Sequence, residues 1–339
     1  MKRKRGIQEC DSYNHEVSAL VVEKEAPEAP ILLDSASSVL HTLFGPRASE
    51  AREGFDAAFQ KKYPYLLKGT EARVKGLIKL LFDLDVEEYL RHTASEFIHV
   101  QSLCKDKVSK GIIPSMRTRR TQSVKRAARY HREKGHSLYC RAPEALEEVV
   151  VPLLLQDLEL GPPTSRRCND RFSRGEIETF FTRKGHVTPK HTDFQENITI
   201  QLSGKKRWRF NHSDLKYPLR GITPHFNEFS GRDVAESQIK SAKAAGASAV
   251  LQPPTSSSSD CTVDVTPGCV LYHPAGIWHE VECTEDSVAI NISLSVASKA
   301  EAFCSALQHA LLKNPKWRAP FSTSGSEHAA ITHDMLHSV

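Results

Sequence analysis

An all-β barrel or jelly roll with helical additions is the fold class that this 339-residue sequence predicts. Three observations carry it. From Ser137 onward the apolar runs are short, they are separated by Gly, Pro and Asp turns, and the chain is long enough for one large catalytic domain with a helical layer, or for two modest domains. Many short strands joined by such turns favour a closed or double-sheet β architecture over a parallel dinucleotide-type sheet.

Composition narrows the function classes. Hydrophobic residues make up 39% and the mean hydropathy is −0.42, as in a folded chain with a water-facing surface. No apolar run approaches the roughly 20 residues that cross a bilayer, so no membrane contact is expected. The basic start Met1-Lys2-Arg3-Lys4-Arg5 leads into the polar Gly6 to Asp11 instead of a secretory h-region, which predicts a nuclear or cytoplasmic protein that is not secreted. The eight cysteines, at 10, 104, 140, 168, 261, 269, 283 and 304, contain no C-x-x-C pair, which argues against a zinc knuckle or a thioredoxin-like motif.

Along the chain, residues 1–30 read as a flexible polar tail and 31–136 as a helical N-terminal region. Ser35 to Leu43 and Glu50 to Lys62 have the pattern of short amphipathic helices. Thr70 to His92 carries apolar residues at 74, 77, 78, 81, 82 and 86 with helical spacing, and Asp85 is placed to cap a new helix. Between Lys105 and Lys134 eleven Lys/Arg stand against Asp106 and Glu133, a local excess of nine in a chain whose total is +5. That segment, 105–134, suits a solvated face, an import signal, or contact with phosphate or an acidic surface. Apart from Tyr130 no aromatic residue interleaves with its cations, so a single-strand stacking platform is not indicated.

Residues 137–296 carry the predicted strands: Ser137 to Cys140, Ile177 to Thr182, Asn197 to Leu202, Lys206 to Phe210, Val263 to Val265, Cys269 to Tyr272, His279 to Cys283 and Val288 to Ser295. An insertion over 211–262 contains a helix-like run, Asp233 to Ala245, and the Ser-rich Thr255 to Ser259. Ala297 to Leu312 predicts a closing helix within a C-terminal segment 297–339, with a loose tail after Pro320.

The chemistry concentrates on His191 and Asp193. Two apart on an extended strand, their side chains leave the same face and can bind adjacent positions on one ion. His279, following the turn Pro274-Ala275-Gly276-Ile277-Trp278, is the best candidate for a third ligand. Two histidines and a carboxylate leave coordination positions open on ferrous iron for a chelating co-substrate and for oxygen; zinc would fit the same ligands but has no redox role.

Alone, H-x-D is a weak pattern, and its neighbours supply the specificity. G-H-V-T-P-K-H-T-D at 185–193 runs into F-Q-E-N-I-T-I-Q-L-S-G-K-K-R-W at 194–208, and G-C-V-L-Y-H-P-A-G-I-W-H at 268–279 is followed by Ala289-Ile290-Asn291-Ile292-Ser293. This ordered set resembles the JmjC family of iron(II)- and 2-oxoglutarate-dependent oxygenases. Within it the likeness is to the cupin-like protein hydroxylases, which include the asparaginyl hydroxylase of the hypoxia-inducible factor and the ribosomal oxygenases. The resemblance implies a double-stranded β-helix of eight strands with the metal triad His191, Asp193 and His279 at its open end.

It also implies roles for further residues. Lys206 matches the lysine that grips the far carboxylate of 2-oxoglutarate, with Lys205 on the opposite face; Thr188 matches a hydroxyl on the same carboxylate, and Tyr139 a phenol from the first barrel strand. Asn197 and Asn291 fall near the co-substrate and iron, and Gln201 at a substrate position; Trp278, by its place directly before the third ligand, suits either a wall of the substrate entrance or a buried ring that fixes the turn. The implied activity is iron(II)- and 2-oxoglutarate-dependent oxygenation, foremost the hydroxylation of a protein or peptide side chain with release of succinate and carbon dioxide. Demethylation of N-methyl-lysine, modification of RNA reached through segment 105–134, and a non-enzymatic metal-bound interaction module are the alternatives. Pairing of two copies through the C-terminal helix is a further expectation.

Overall fold

The strand periodicity divides the buried residues into two layers, one under helices and one inside a barrel. The computed structural model describes residues 21–33, 38–108, 111–160, 174–212, 260–296 and 298–319. The chain forms two units, 1–296 and 297–339. The expectations for 1–20, for the helix-like run 233–245, for the Ser-rich stretch and for the tail after Pro320 lie outside the described residues.

The first unit begins with β1 (Val22–Glu25), α1 (Val39–Phe44), α2 (Glu50–Lys61), β2 (Tyr65–Lys68), α3 (Lys75–Leu80) and α4 (Val86–Arg91). There follow β3 (Ile98–Val108), β4 (Gly111–Thr121), α5 (Val124–Lys134), β5 (Ser137–Arg141), α6 (Glu144–Asp157) and β6 (Arg174–Thr182). The remaining strands are β7 (Val187–His191), β8 (Glu196–Ser203), β9 (Lys206–Asn211), β10 (Cys261–Val265), β11 (Val270–His273), β12 (Trp278–Cys283) and β13 (Ser287–Ser295). The second unit carries α7 (Lys299–Leu311). No described helix is long and apolar enough to cross a membrane.

A nine-stranded sheet runs β1-β2-β11-β8-β13-β6-β5-β3-β4, and a four-stranded sheet runs β10-β9-β12-β7. The central β11-β8-β13-β6 and the four-stranded sheet are the eight strands of a double-stranded β-helix, as the resemblance implies. Pairing is antiparallel throughout except between β1 and β2. Alternation decides what each face does. Ile198, Ile200, Ile290 and Ile292 point out of the barrel into the helical layer, where they pack with Leu40, Phe55, Tyr89, Val150 and Leu154. Burying each such side chain contributes roughly 1.5–3 kcal/mol. The neighbours between those isoleucines, Thr199, Gln201 and Asn291, therefore point in. Trp208, Phe210, Val263, Val265 and Leu271 form the apolar part of that interior.

Three sequence expectations need correction. The region 31–136 is not purely helical: it holds β2 and the long β3–β4 hairpin, and the basic segment is split among β3, β4 and α5. Residues 22–25 of the expected tail are a strand, paired in parallel with β2. The strand-rich part contains α6, whose Val149-Val150-Val151 run and internal Pro152 hide a helix from pattern reading. In 70–92 the helical pattern breaks at Phe82, Asp83 and Leu84, all with positive φ. Asp85 then caps α4 as expected, accepting from the Glu88 N–H at 2.8 Å.

Candidate metal centre and barrel interior

His279 on β12 stands opposite His191 on β7, while Val281 stands opposite Thr188. One more residue lies between the β7 positions than between the β12 positions, a β-bulge. In a regular strand Thr188 and His191, three apart, would face opposite sides. The bulge turns both toward the side shared by His279 and Val281, which is the barrel interior.

The triad assembles where β7 ends. Ligand atoms of His191, Asp193 and His279 all lie within 4.8 Å of one another. Nε2 of His191 is 3.8 Å from Asp193 Oδ1, and Nε2 of His279 is 3.5 Å from Asp193 Oδ2. Each imidazole is oriented by its other nitrogen: His191 Nδ1 meets the Pro189 carbonyl at 2.6 Å, and His279 Nδ1 meets the Ile277 carbonyl at 3.2 Å. A carbonyl only accepts, so Nδ1 of each ring is the donor there, and Nε2 is the nitrogen turned toward the carboxylate. The Asp193 loop is pinned by its carbonyl, which accepts from the Gly276 N–H at 2.8 Å. Both histidines are buried, and Trp208 stacks along His279 at 5.6 Å between centroids. Rings oriented by backbone carbonyls, a buried setting and a single carboxylate fit a divalent ion.

Lys206 opens β9, four positions from Phe210, the register partner of His279. Gly204 makes the preceding turn with φ +64, and a Cβ there would lie 1.9 Å from the Asp286 carbonyl oxygen. Lys206 is 5% exposed, with its ammonium 4.9 Å from the centre of the Phe180 ring. Burial pulls its pKa down to about 8. Desolvation, and then Lys206 itself, hold the nearby His186 at about 4. Lys205, on the outer face as expected, pairs with Asp264 at 2.8 Å. The barrel thus holds a dry cation at a distance along the strands from the triad.

The remaining interior side chains form a network centred on a residue that pattern reading missed, Glu178 on β6. Tyr139 donates to Glu178 Oε1 at 2.6 Å. Asn291 and Ser293 reach Oε2 at 2.9 and 2.8 Å. Asn291 also donates to Asn197 Oδ1 at 2.8 Å and accepts from Thr199 at 2.9 Å. Burial, and then Glu176, raise the Glu178 pKa; the three donors oppose that shift. A glutamate spaced two from Glu176 between Ile177, Thr179 and Phe181 was the available signal, since alternation sends both carboxylates to the face opposite those three residues.

The structure therefore gathers His191, Asp193, His279, Thr188 and Lys206 on the interior face, and places Asn197, Asn291 and Tyr139 in the Glu178 network. The Tyr139 proton is already committed to a carboxylate. Gln201 is fully buried and its Nε2 donates to the Ser203 carbonyl at 2.7 Å, so it clamps the 203–204 turn and is not at a surface that a macromolecular substrate touches. Trp278 is buried and precedes His279 on β12, so it points to the opposite face of that strand and does not wall the interior. His273, for which the sequence offered no role, is buried with its ring 4.5 Å from that of His279, and desolvation keeps it well below the usual histidine range.

Residues 115–293 match the family model described as a cupin-like domain. A curated relative, the uncharacterized protein YxbC of Bacillus subtilis (strain 168), is 24% identical over 160 residues, 47% of this chain and 42% of that protein. The chain thus spans about two-fifths of the length of that relative. Among solved structures, Escherichia coli YcfD aligns over 86% of this chain and 67% of its own, with 15% identity and a TM-score of 0.43. A second structure of that ribosomal oxygenase, in complex with cobalt and 2-oxoglutarate, aligns over 84% and 66% at 15% identity with a TM-score of 0.41.

Proposed function

The chain belongs to the cupin-like domain family, and from that premise we propose that it is an iron(II)- and 2-oxoglutarate-dependent oxygenase that hydroxylates a side chain of a protein substrate. One observation carries the reading: a single barrel holds a two-histidine, one-carboxylate cluster and, further along the same sheet, a buried ammonium. A keto-dicarboxylate answers both needs, with one end for a ferrous ion and one for Lys206. When bound, iron and 2-oxoglutarate supply the oxidising power, with succinate and carbon dioxide as co-products.

The chain's own residues orient and exclude. His191, Asp193 and His279 would hold the ion, with the histidines oriented by the Pro189 and Ile277 carbonyls. Lys206 holds the far carboxylate, and the Thr188 hydroxyl, turned inward by the bulge, supports it. Trp208 and Phe210 line the interior beside His279 and keep water from the reacting centre.

The test is anaerobic loading with ferrous iron, then oxygen and 2-oxoglutarate with peptide or RNA pools, with succinate as the readout. Succinate stimulated by peptides, with a mass gain of one oxygen on a peptide, supports the reading. Stimulation by RNA alone moves the substrate to nucleic acid, and no succinate from iron-loaded protein under any pool rejects the oxygenase.

A further inference from the structure

The basic segment has a built surface of its own. α5 buries Ala127, Ala128 and His131 and leaves Lys125, Arg126, Arg129, Arg132 and Lys134 outside. At its end Gly135, with φ +64, reverses the chain, a conformation that favours glycine. The reversal is held on both sides: His136 N–H donates to the Tyr130 carbonyl at 3.2 Å, and His131 Nδ1 meets the His136 carbonyl at 2.7 Å. As a result the His136 ring lies along Tyr130, with centroids 5.5 Å apart and planes 19° from parallel. The Arg129 guanidinium stands 6.0 Å from the Tyr130 ring centre.

Arg119 adds a further cation from β4, the edge strand of the large sheet. Its register partner is Val100, which packs into the helical layer, so Arg119 is on the face that bears α5. After burial, the charges of Arg119 and then Lys134 push the His136 pKa down. Both are exposed, and His136 and Tyr130 are partly exposed. The metal triad is on the other face of the sheet and uses none of these residues.

We propose that the Tyr130–His136 stack and its cations form a docking platform for single-stranded nucleic acid, with bases against the rings and phosphates on Arg119, Arg129 and Lys134. Interleaved cations and planar rings are what a strand with alternating phosphates and π-faces requires. An acidic protein surface needs only the charge, which is why the ring stack favours a nucleic acid.

Fluorescence anisotropy of the full chain with labelled oligouridine RNA, the matching DNA, and abasic DNA of equal charge tests this. Base-bearing strands should bind with affinity falling as salt rises, and abasic DNA at least about fivefold more weakly. His136→Ala should weaken oligouridine by a similar factor, with His136→Tyr restoring it. The exposed Arg129→Gln and Lys134→Gln should each flatten the salt dependence by roughly one phosphate contact. The preference between RNA and DNA identifies the natural strand. Equal binding of abasic and base-bearing strands, equal competition by polyglutamate, or no binding at low salt overturns the proposal. Arg129→Gln keeps it testable should His136→Ala fail to fold.

Discussion

Thr188 and His191, three residues apart on one strand, face the same interior because β7 carries a bulge between them. The bulge absorbs the parity mismatch between the Thr188 hydroxyl and the H-x-D pair at the strand end.

Asp193 is the anion between two imidazoles whose Nε2 atoms stand 3.8 and 3.5 Å from its oxygens. Asp193→Ala removes the one negative ligand and leaves two neutral donors. Iron bound after anaerobic loading should fall to background, as should succinate formation. Iron at wild-type stoichiometry in the variant would place the ion elsewhere.

Lys206→Ala should chiefly raise the KM for 2-oxoglutarate, by about ten- to a hundredfold if one charged hydrogen bond is lost. Lys205→Ala, which breaks only the outer pair with Asp264, should leave that KM unchanged. Steady-state kinetics in 2-oxoglutarate separates the two, and equal effects would mean that the pocket has another cation.

Much of this was legible in the sequence. The predicted strands match β5, β6 and β8 to β13 within a few residues, because Gly204, Gly268 and Gly276 mark turns that positive φ demands. His191, Asp193, His279 and Lys206 were legible because spacing and resemblance agree on them. Glu178 was not, since a carboxylate in a strand reads as solvated until its three donors are seen. Nor was the Tyr130–His136 stack, because it depends on the reversal at Gly135 and not on helical spacing. β3 and β4 were hidden by charge: an edge hairpin rich in cations lacks the apolar alternation that identifies a strand.

The buried ammonium also sets a pH dependence. With the Lys206 pKa at about 8, the co-substrate-free protein loses, as pH rises through 8, the charge proposed to hold a carboxylate. The KM for 2-oxoglutarate should therefore climb above pH 8, by up to about tenfold per pH unit. Lys206→Arg, which stays charged, should remove the climb. A flat profile from pH 7 to 9.5 in the wild type would mean that Lys206 does not carry the carboxylate.

The same burial predicts a gain in stability when the charge is removed. The folded value of about 8 lies below the roughly 10.4 of an exposed lysine, so the unfolded chain binds this proton more tightly. Below pH 8 the buried charge costs stability, on the order of 3 kcal/mol, and the cost fades as pH rises from 8 past 10. Lys206→Met keeps the length of the chain and drops the charge, so without co-substrate it should resist urea better than wild type at pH 7. The advantage should shrink toward pH 10. No advantage at pH 7 would show that the ammonium is already satisfied.

Tyr139 separates the resemblance from the structure most sharply. The resemblance gives its phenol to the co-substrate, whereas here the phenol donates to Glu178 at 2.6 Å. If the structural assignment governs, Tyr139→Phe removes one of three donors to a buried carboxyl, which costs about 1–3 kcal/mol of stability by urea unfolding. Because that hydrogen bond lowers the Glu178 pKa, its loss should raise the pKa further, so the carboxyl ionises at a higher pH in the variant. The KM for 2-oxoglutarate should then change far less than in Lys206→Ala. A KM rise equal to that of Lys206→Ala, with little loss of stability, would instead show that the phenol leaves Glu178 for the co-substrate, and that the network rearranges when the barrel is filled.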